Sequence, residues 1–426
     1  MKRILLVAIF LMLGLAGSVA AQDVTTPEIP PSLEAQMTGL ENITEIIRGL
    51  ETETPVAHAF PTRAEVRQYI ADQYREQLSP ELARRALAFY VALELLPPGT
   101  DLTSLFIEVL GSQVAGFYDT ETGVMNVIPV IGDDPGEGLS LTEQIIYVHE
   151  YTHALQDQHF TLDSLIDEGD IADHPDQLLA ALALVEGDAS LAMNFYTQQV
   201  AAANPLAALA ILAEGVQAGN LLPPGDIPQP LLRELIFPYD TGLNFAMALF
   251  SEGHGWDLIN QAFDNPPTTS EQIMHPDKYL AGEGAMPVDL SPVDAVLGAD
   301  WELVWDTALG EFYLAEHLRS QLDRREALAA TDGWGGDHIQ VFVDDTDRVA
   351  WILKLTWDTP QDAAEFAQAY ADFATKRGGE TGTVDVADTT TCYIAATTIC
   401  VNFDSSSISS APDVSLARDL LLTQLN

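Results

Sequence analysis

Five consecutive residues, His149-Glu150-Tyr151-Thr152-His153, have the types and the spacing to hold a metal ion and to use it. On a helix, positions four apart lie on one face, one turn above the other. His149 and His153 are therefore expected to aim two imidazole nitrogens at one point. Zn2+ takes such nitrogens at about 2.0–2.1 Å in a tetrahedral set. Glu150 follows the first histidine, close to the ion but off the ligand axis. A carboxylate there can act as general base on a metal-activated water. The rival reading is a pair of core histidines bonded to the backbone.

Two imidazoles leave a metal short of a third protein ligand. Residues 175–203 are apolar almost all round, the pattern of a buried helix. Within them stands Glu186-Gly187-Asp188-Ala189, and an acid on such a helix is costly without a partner. Glu186 is the candidate third ligand. His159 is the alternative, at the spacing of the H-E-x-x-H-x-x-G-x-x-H pattern. Gln156 occupies the glycine position of that pattern, however, and has no preference for the turn that glycine allows. Asp157 and Asp188 are candidates to hold an imidazole N–H from behind. Attack by a metal-activated water on a carbonyl would also need a donor for the developing oxyanion. His275, Tyr239 and Tyr279 are the candidates, whereas His254, between two glycines, reads as a surface turn.

Several elements must position these groups. Ser140 with Glu143 three residues on forms a capping box at the head of the motif helix. Residues 113–130 read as two strands around a turn at 119–123, followed by a loop at 131–138. An exposed strand edge beside the motif helix could take an extended peptide as a further strand. Upstream, 41–97 is mostly helical, with candidate N-caps at Thr62 and Ser79.

The motif helix together with the E-G-D-A segment resembles the gluzincin branch of zinc metallopeptidases. The fuller set, AGFYD, HEYTHALQDQHF, LVEGDA and TSEQIMHPDKY, resembles a group of uncharacterised exported bacterial proteins read as metallopeptidases. The resemblance spans residues 111–279. It implies a zincin-like fold, His149, His153 and Glu186 as zinc ligands, and Glu150 as base. Familiar gluzincins often carry an Asp four residues after the ligand Glu, and here that position is Ser190.

Sixty-four acidic residues face 18 basic ones, a net charge of −46. No run of Lys or Arg is present, which argues against a nucleic-acid role. The acids are scattered, as on an acidic folded surface that repels anionic polymers and membranes. Residues 1–21 read as a secretory signal: Lys2 and Arg3, an apolar stretch, then Val19-Ala20-Ala21. After its cleavage no stable membrane insertion is expected, and the protein is expected outside the cytoplasm. A Pro-rich linker at 22–33 follows. Cys392 and Cys400 lie equally far from Ala396 and would face each other if 392–400 is a hairpin, making a disulfide in an oxidising compartment.

From residue 299 two helical segments run through 325, and Gly333 to His338 read as a turn. Strands at IQVFV and VAWILKLTW, a helix capped by Thr359 with Pro360 at its first position, and further strands at TVDVAD and TCYIAATTICVNF follow. The expected fold is α+β, mainly helical, in four segments. These are the signal at 1–21, a linker and N-terminal helical subdomain at 22–97, a zincin-like catalytic domain at 98–290, and a small C-terminal α+β domain at 291–426. The expected function is an exported zinc metallopeptidase acting on a peptide or protein. The alternatives are a non-catalytic extracellular binding protein with a structural or vestigial zinc site, and a metal-dependent cell-wall amidase.

Overall fold

The capping signals are realised in the computed structural model, which describes residues 29–113, 116–129, 132, 136–165, 173–204, 206, 227–379, 382–387 and 389–425. Ser140 accepts the Glu143 N–H while Glu143 reaches back to the Ser140 N–H, and the motif helix runs Leu141–Phe160. Thr62 and Glu65 form the same box ahead of helix Arg63–Gln77, and Thr359 and Asp362 ahead of Pro360–Gly378. In each case side chains satisfy amides that the first turn leaves unpaired.

The fold is α+β, and the chain divides into two compact units that are discontinuous in sequence. The first comprises Met1–Ser79, Asp101–Gly169 and Ala180–Pro267; the second comprises Pro80–Thr100, Asp170–Leu179 and Thr268–Asn426. These units do not follow the segments 22–97, 98–290 and 291–426. Helix Pro80–Ala92 goes with the second unit because Arg84 bonds Glu302 and Asp347, and Arg85 bonds Asp173 and the Val304 carbonyl.

In the first unit, strands β1 (Ala57–Ala59), β2 (Gly116–Asp119) and β3 (Val124–Val127) form a sheet in the order β1-β3-β2. β2 and β3 are the expected hairpin; Asp119 Oδ1 accepts the N–H groups of Glu121 and Thr122, and Gly123 takes a positive φ of 66°. The linker expected to reach residue 33 is already helical at Pro31, in helix Pro31–Arg48. Its buried stripe is Leu33, Met37, Leu40, Thr44 and Arg48, a helical period. Leu33, Met37 and Leu40 share one core with Tyr118, Met125, Tyr147, Tyr151 and Leu155. Each such apolar side chain contributes about 1.5–3 kcal/mol by leaving water.

Helix Pro175–Ala203 is long and apolar enough to cross a membrane by composition, yet 83% of that window is buried inside the protein. Within the first unit it meets helix Gln229–Glu252 backbone to backbone. A Cβ on Gly187 would stand 2.2 Å from the Gly242 carbonyl oxygen, and one on Gly242 would stand 2.3 Å from that of Ala183. Only glycine permits this approach at either position.

The second unit carries a seven-stranded antiparallel sheet, order β4-β5-β6-β10-β9-β8-β7. β4 is Trp301–Thr307, β5 Trp334–Asp344, β6 Val349–Trp357, β7 Thr383–Ala387, β8 Thr390–Ile394, β9 Thr398–Asn402 and β10 Ser407–Ala411. Two expectations are corrected here. Residues 301–307 form a strand rather than part of a helix, and the glycines after Trp334 lie within β5 rather than in a turn. A register shift between Leu303 and Trp305 breaks the alternation that marks a strand. Cys392 and Cys400 face each other across β8 and β9 and form the disulfide.

Candidate metal centre

One face of the motif helix and one turn of helix Pro175–Ala203 converge in the core of the first unit. His149 Nε2 lies 3.1 Å from His153 Nε2 and 3.0 Å from Glu186 Oε2. His153 Nε2 lies 3.5 Å from the same Glu186 oxygen. Tetrahedral ligands about 2.0–2.1 Å from one zinc ion stand about 3.3 Å apart. The three donor atoms therefore have the spacing of a tetrahedral set, and the residues fit the ion. All three are buried. His159 is not part of this group. The helix continues through it, and its Nε2 pairs with the Glu51 carbonyl at 2.8 Å.

Glu150 is buried beside the three donors. Burial raises its pKa, the two imidazoles draw it back down, and the Glu186 charge raises it further. One carboxylate oxygen accepts the backbone N–H of Tyr118 on β2, while Oε2 is buried without a hydrogen-bond partner among the described residues. A crevice of about 10 Å³ beside it, lined by Gly116, Asn126, Ile146 and Tyr147 among others, is close to the size of one water.

Glu186 and His153 form a buried ion pair. Burial opposes charge on both; the imidazoles outweigh it at Glu186, holding its carboxyl down at about 2. The carboxylate outweighs it at His153, pushing the imidazole up to about 9.

The oxyanion candidates separate. The Tyr239 ring stacks near His149 with centroids 5.9 Å apart, and its hydroxyl hydrogen-bonds to Glu186. Burial and then the two glutamates raise its pKa well above the usual value, so it stays a protonated donor. The Gly187–Gly242 contact explains this placement, since it lies one residue past Glu186 and three past Tyr239. His275 belongs to the second unit, where its Nε2 lies 3.0 Å from buried Glu311. Tyr279 lies in the same unit, on short helix Pro276–Ala281. His254 sits in an exposed turn with φ 52°.

The outer partners differ from expectation. Asp157 accepts the Tyr118 hydroxyl at 3.1 Å, and Asp188 reaches an imidazole only through Gln156. Gln156 Oε1 accepts from His153 Nδ1 at 2.8 Å, while its amide nitrogen donates to Asp188 at 2.7 Å and to the Val185 carbonyl at 2.9 Å. With Nδ1 protonated, the Nε2 lone pair is left to face the ion. The sequence signal for this role was faint: Gln156 lies three residues beyond His153, on the same helix face.

Residues 298–421 match the model of a family described as a domain of unknown function, DUF8575. The match takes in all seven strands of the second unit's sheet. No curated protein and no solved structure matches the chain.

Proposed function

We propose that this protein is an exported zinc metallopeptidase of the zincin type. The observation that carries the reading is the convergence of His149, His153 and Glu186 with Glu150 buried alongside. Two imidazoles and a carboxylate suit Zn2+, and the three ligands that converge among the described residues are the number found in catalytic rather than closed structural sites. Bound there, the ion would supply Lewis-acid polarisation of a peptide carbonyl and activation of a water.

The chain's own residues do the rest. Glu150 takes the water's proton and later delivers it to the leaving amine. Its raised pKa suits both tasks, because a weaker acid holds the proton longer between them. Tyr239 donates its hydroxyl to the developing oxyanion, turning from Glu186 to do so. β2 stands at one edge of its sheet beside Glu150, and an extended substrate would align along that edge. Location outside the cytoplasm belongs to the same proposal. The Cys392–Cys400 disulfide supports an oxidising compartment, while the leader at 1–21 lies outside the described residues.

The test is metal analysis of the purified protein with a peptide-library digest, run with and without chelator. Glu150→Gln is expected to retain the metal and lose about 10²–10⁴-fold in hydrolysis. Full activity in that variant would refute the assigned role. Peptidoglycan fragments as a second substrate set separate a cell-wall amidase from a peptidase. A protein that holds zinc and cleaves neither set is a binding protein.

A further inference from the structure

The relay behind His153 does not stop at Asp188. Arg48, the last residue of helix Pro31–Arg48, is fully buried, with Nε 2.7 and 2.9 Å from the two Asp188 carboxylate oxygens. Its Nη2 donates to Asn260 Oδ1 at 2.7 Å. The guanidinium lies over the Trp256 ring, 4.6 Å from its centroid, with Phe160 at 5.9 Å. The Trp256 indole N–H donates to the Ile47 carbonyl at 2.8 Å, and Gly49 closes the helix with φ 74°. The helix end is thus pinned by a charge pair, a neutral bond, a ring face and a capped carbonyl.

A buried arginine with so many partners needs a reason beyond stability. Replacing a buried ion pair by apolar groups is often neutral or stabilising, so stability alone does not account for this pair. The chemistry on either side of Asp188 supplies one. Arg48 Nε faces both Asp188 carboxylate oxygens, and the oxygen turned to Gln156 is an acceptor. An acceptor at Asp188 and another at the Val185 carbonyl admit only the NH₂ end of the Gln156 amide. The oxygen end must then face His153 Nδ1 and accept its proton. Had the amide been reversed, its NH₂ would meet Nδ1, which would have to accept, and the proton would move to Nε2, the nitrogen aimed at the ion.

We infer that Arg48 is a positioning residue for the metal centre: through Asp188 and Gln156 it sets the orientation of one amide and thereby the tautomer of His153. The inference rests on the metal reading above, and it makes the helix that carries Arg48 a working part of the mature protein rather than a removable pro-segment.

The experiment compares the full-length protein with Arg48→Met/Asp188→Asn, which removes both charges together, and Gln156→Met, which cuts the relay between Asp188 and His153. Zinc affinity is measured by chelator competition, and the His153 tautomer by imidazole 15N shifts in the metal-free protein above about pH 10, where the ring carries a single proton. Both variants are expected to bind zinc about 10–100-fold more weakly and to lose the pure Nδ1–H tautomer signature. Arg48→Lys, which keeps a cation opposite the Asp188 carboxylate, is expected to retain the tautomer. If the double variant does not fold, Gln156→Met still decides the matter. Folded Gln156→Met with zinc affinity within about twofold of the parent and an unchanged tautomer would overturn the inference. A parent that binds no zinc would overturn the functional reading instead, and the tautomer measurement would still judge the relay.

Discussion

Among the described residues, two clusters bring three potential metal ligands together, one in each unit, and they have opposite fates. His149, His153 and Glu186 converge with no ammonium or guanidinium bonded to any of the three among the described residues. Glu271, Glu283 and Asp358 also converge, but Lys278 Nζ lies 2.5, 3.2 and 2.5 Å from them. The second cluster already holds its cation, covalently attached to the chain. Desolvation, then the bonds to Asp358 and Glu271, act on the lysine, and its pKa ends above the usual range. Proximity of acids therefore does not define a metal centre. What separates the two is donor type and whether a built-in cation answers the charge.

That contrast can be broken most decisively at Glu186. Glu186→Gln should weaken zinc binding on the order of 10³-fold or more, beyond the 10–100-fold cost of losing an outer partner. Asp358→Asn should leave the zinc content at the parent value. Metal analysis after dialysis checks both, and equal losses would erase the distinction.

A somewhat smaller effect is expected at Lys278. Lys278→Met leaves Glu271, almost wholly buried, without its partner. The loss should be about 3 kcal/mol at neutral pH, the low end for a broken buried pair because the lysine is partly exposed. Glu271 is already pushed up to about 7, by burial first, even with the lysine present. A raised carboxyl pKa means that the folded state binds the proton more tightly, so stability falls as pH rises. The variant should regain stability on acidification from pH 7 towards 5, read by denaturant unfolding; a flat profile would dissociate Lys278 from Glu271.

The smallest and most diagnostic effect concerns protons at the metal centre. Glu186 keeps His153 protonated up to about 9, so an entering ion must expel that proton. Zinc uptake at pH 7 should release close to one proton, and apparent affinity should rise about tenfold per pH unit up to about 9. In the metal-free protein the same shift contributes stability that is complete below about pH 6.5 and lost as pH rises through about 9. Calorimetry in buffers of different ionisation enthalpy measures the release, and a value near zero would show that the histidine is neutral before the ion arrives.

The parts of the centre legible in the sequence were those governed by local rules. Helical spacing put His149 and His153 on one face, Ser140 and Glu143 marked where that helix begins, and the cost of a buried acid singled out Glu186. The hairpin at 116–127 and the facing cysteines also followed from local pattern. Arg48 and Gln156 were not legible because their roles arise only where three distant segments meet. The second unit failed in the same way. Ser407–Ala411 reads as polar, SISSA, yet it is buried throughout as a central strand between β6 and β9, a place that tertiary pairing alone confers. No local signal shows that helix Pro80–Ala92 joins residues more than two hundred positions away.

The pinned end of helix Pro31–Arg48 also has a consequence for how the molecule is made. Arg48 meets Asp188 across 140 residues and Asn260 across 212, and Ile47 meets Trp256 across 209. A chain delivered from its N-terminus therefore presents a charged helix end long before any of its partners exists. Closing such wide loops is slow, since their entropy is lost before the contacts are gained. Segments that emerge first are completed last, and this half of the protein finishes its interior only when residue 260 has arrived.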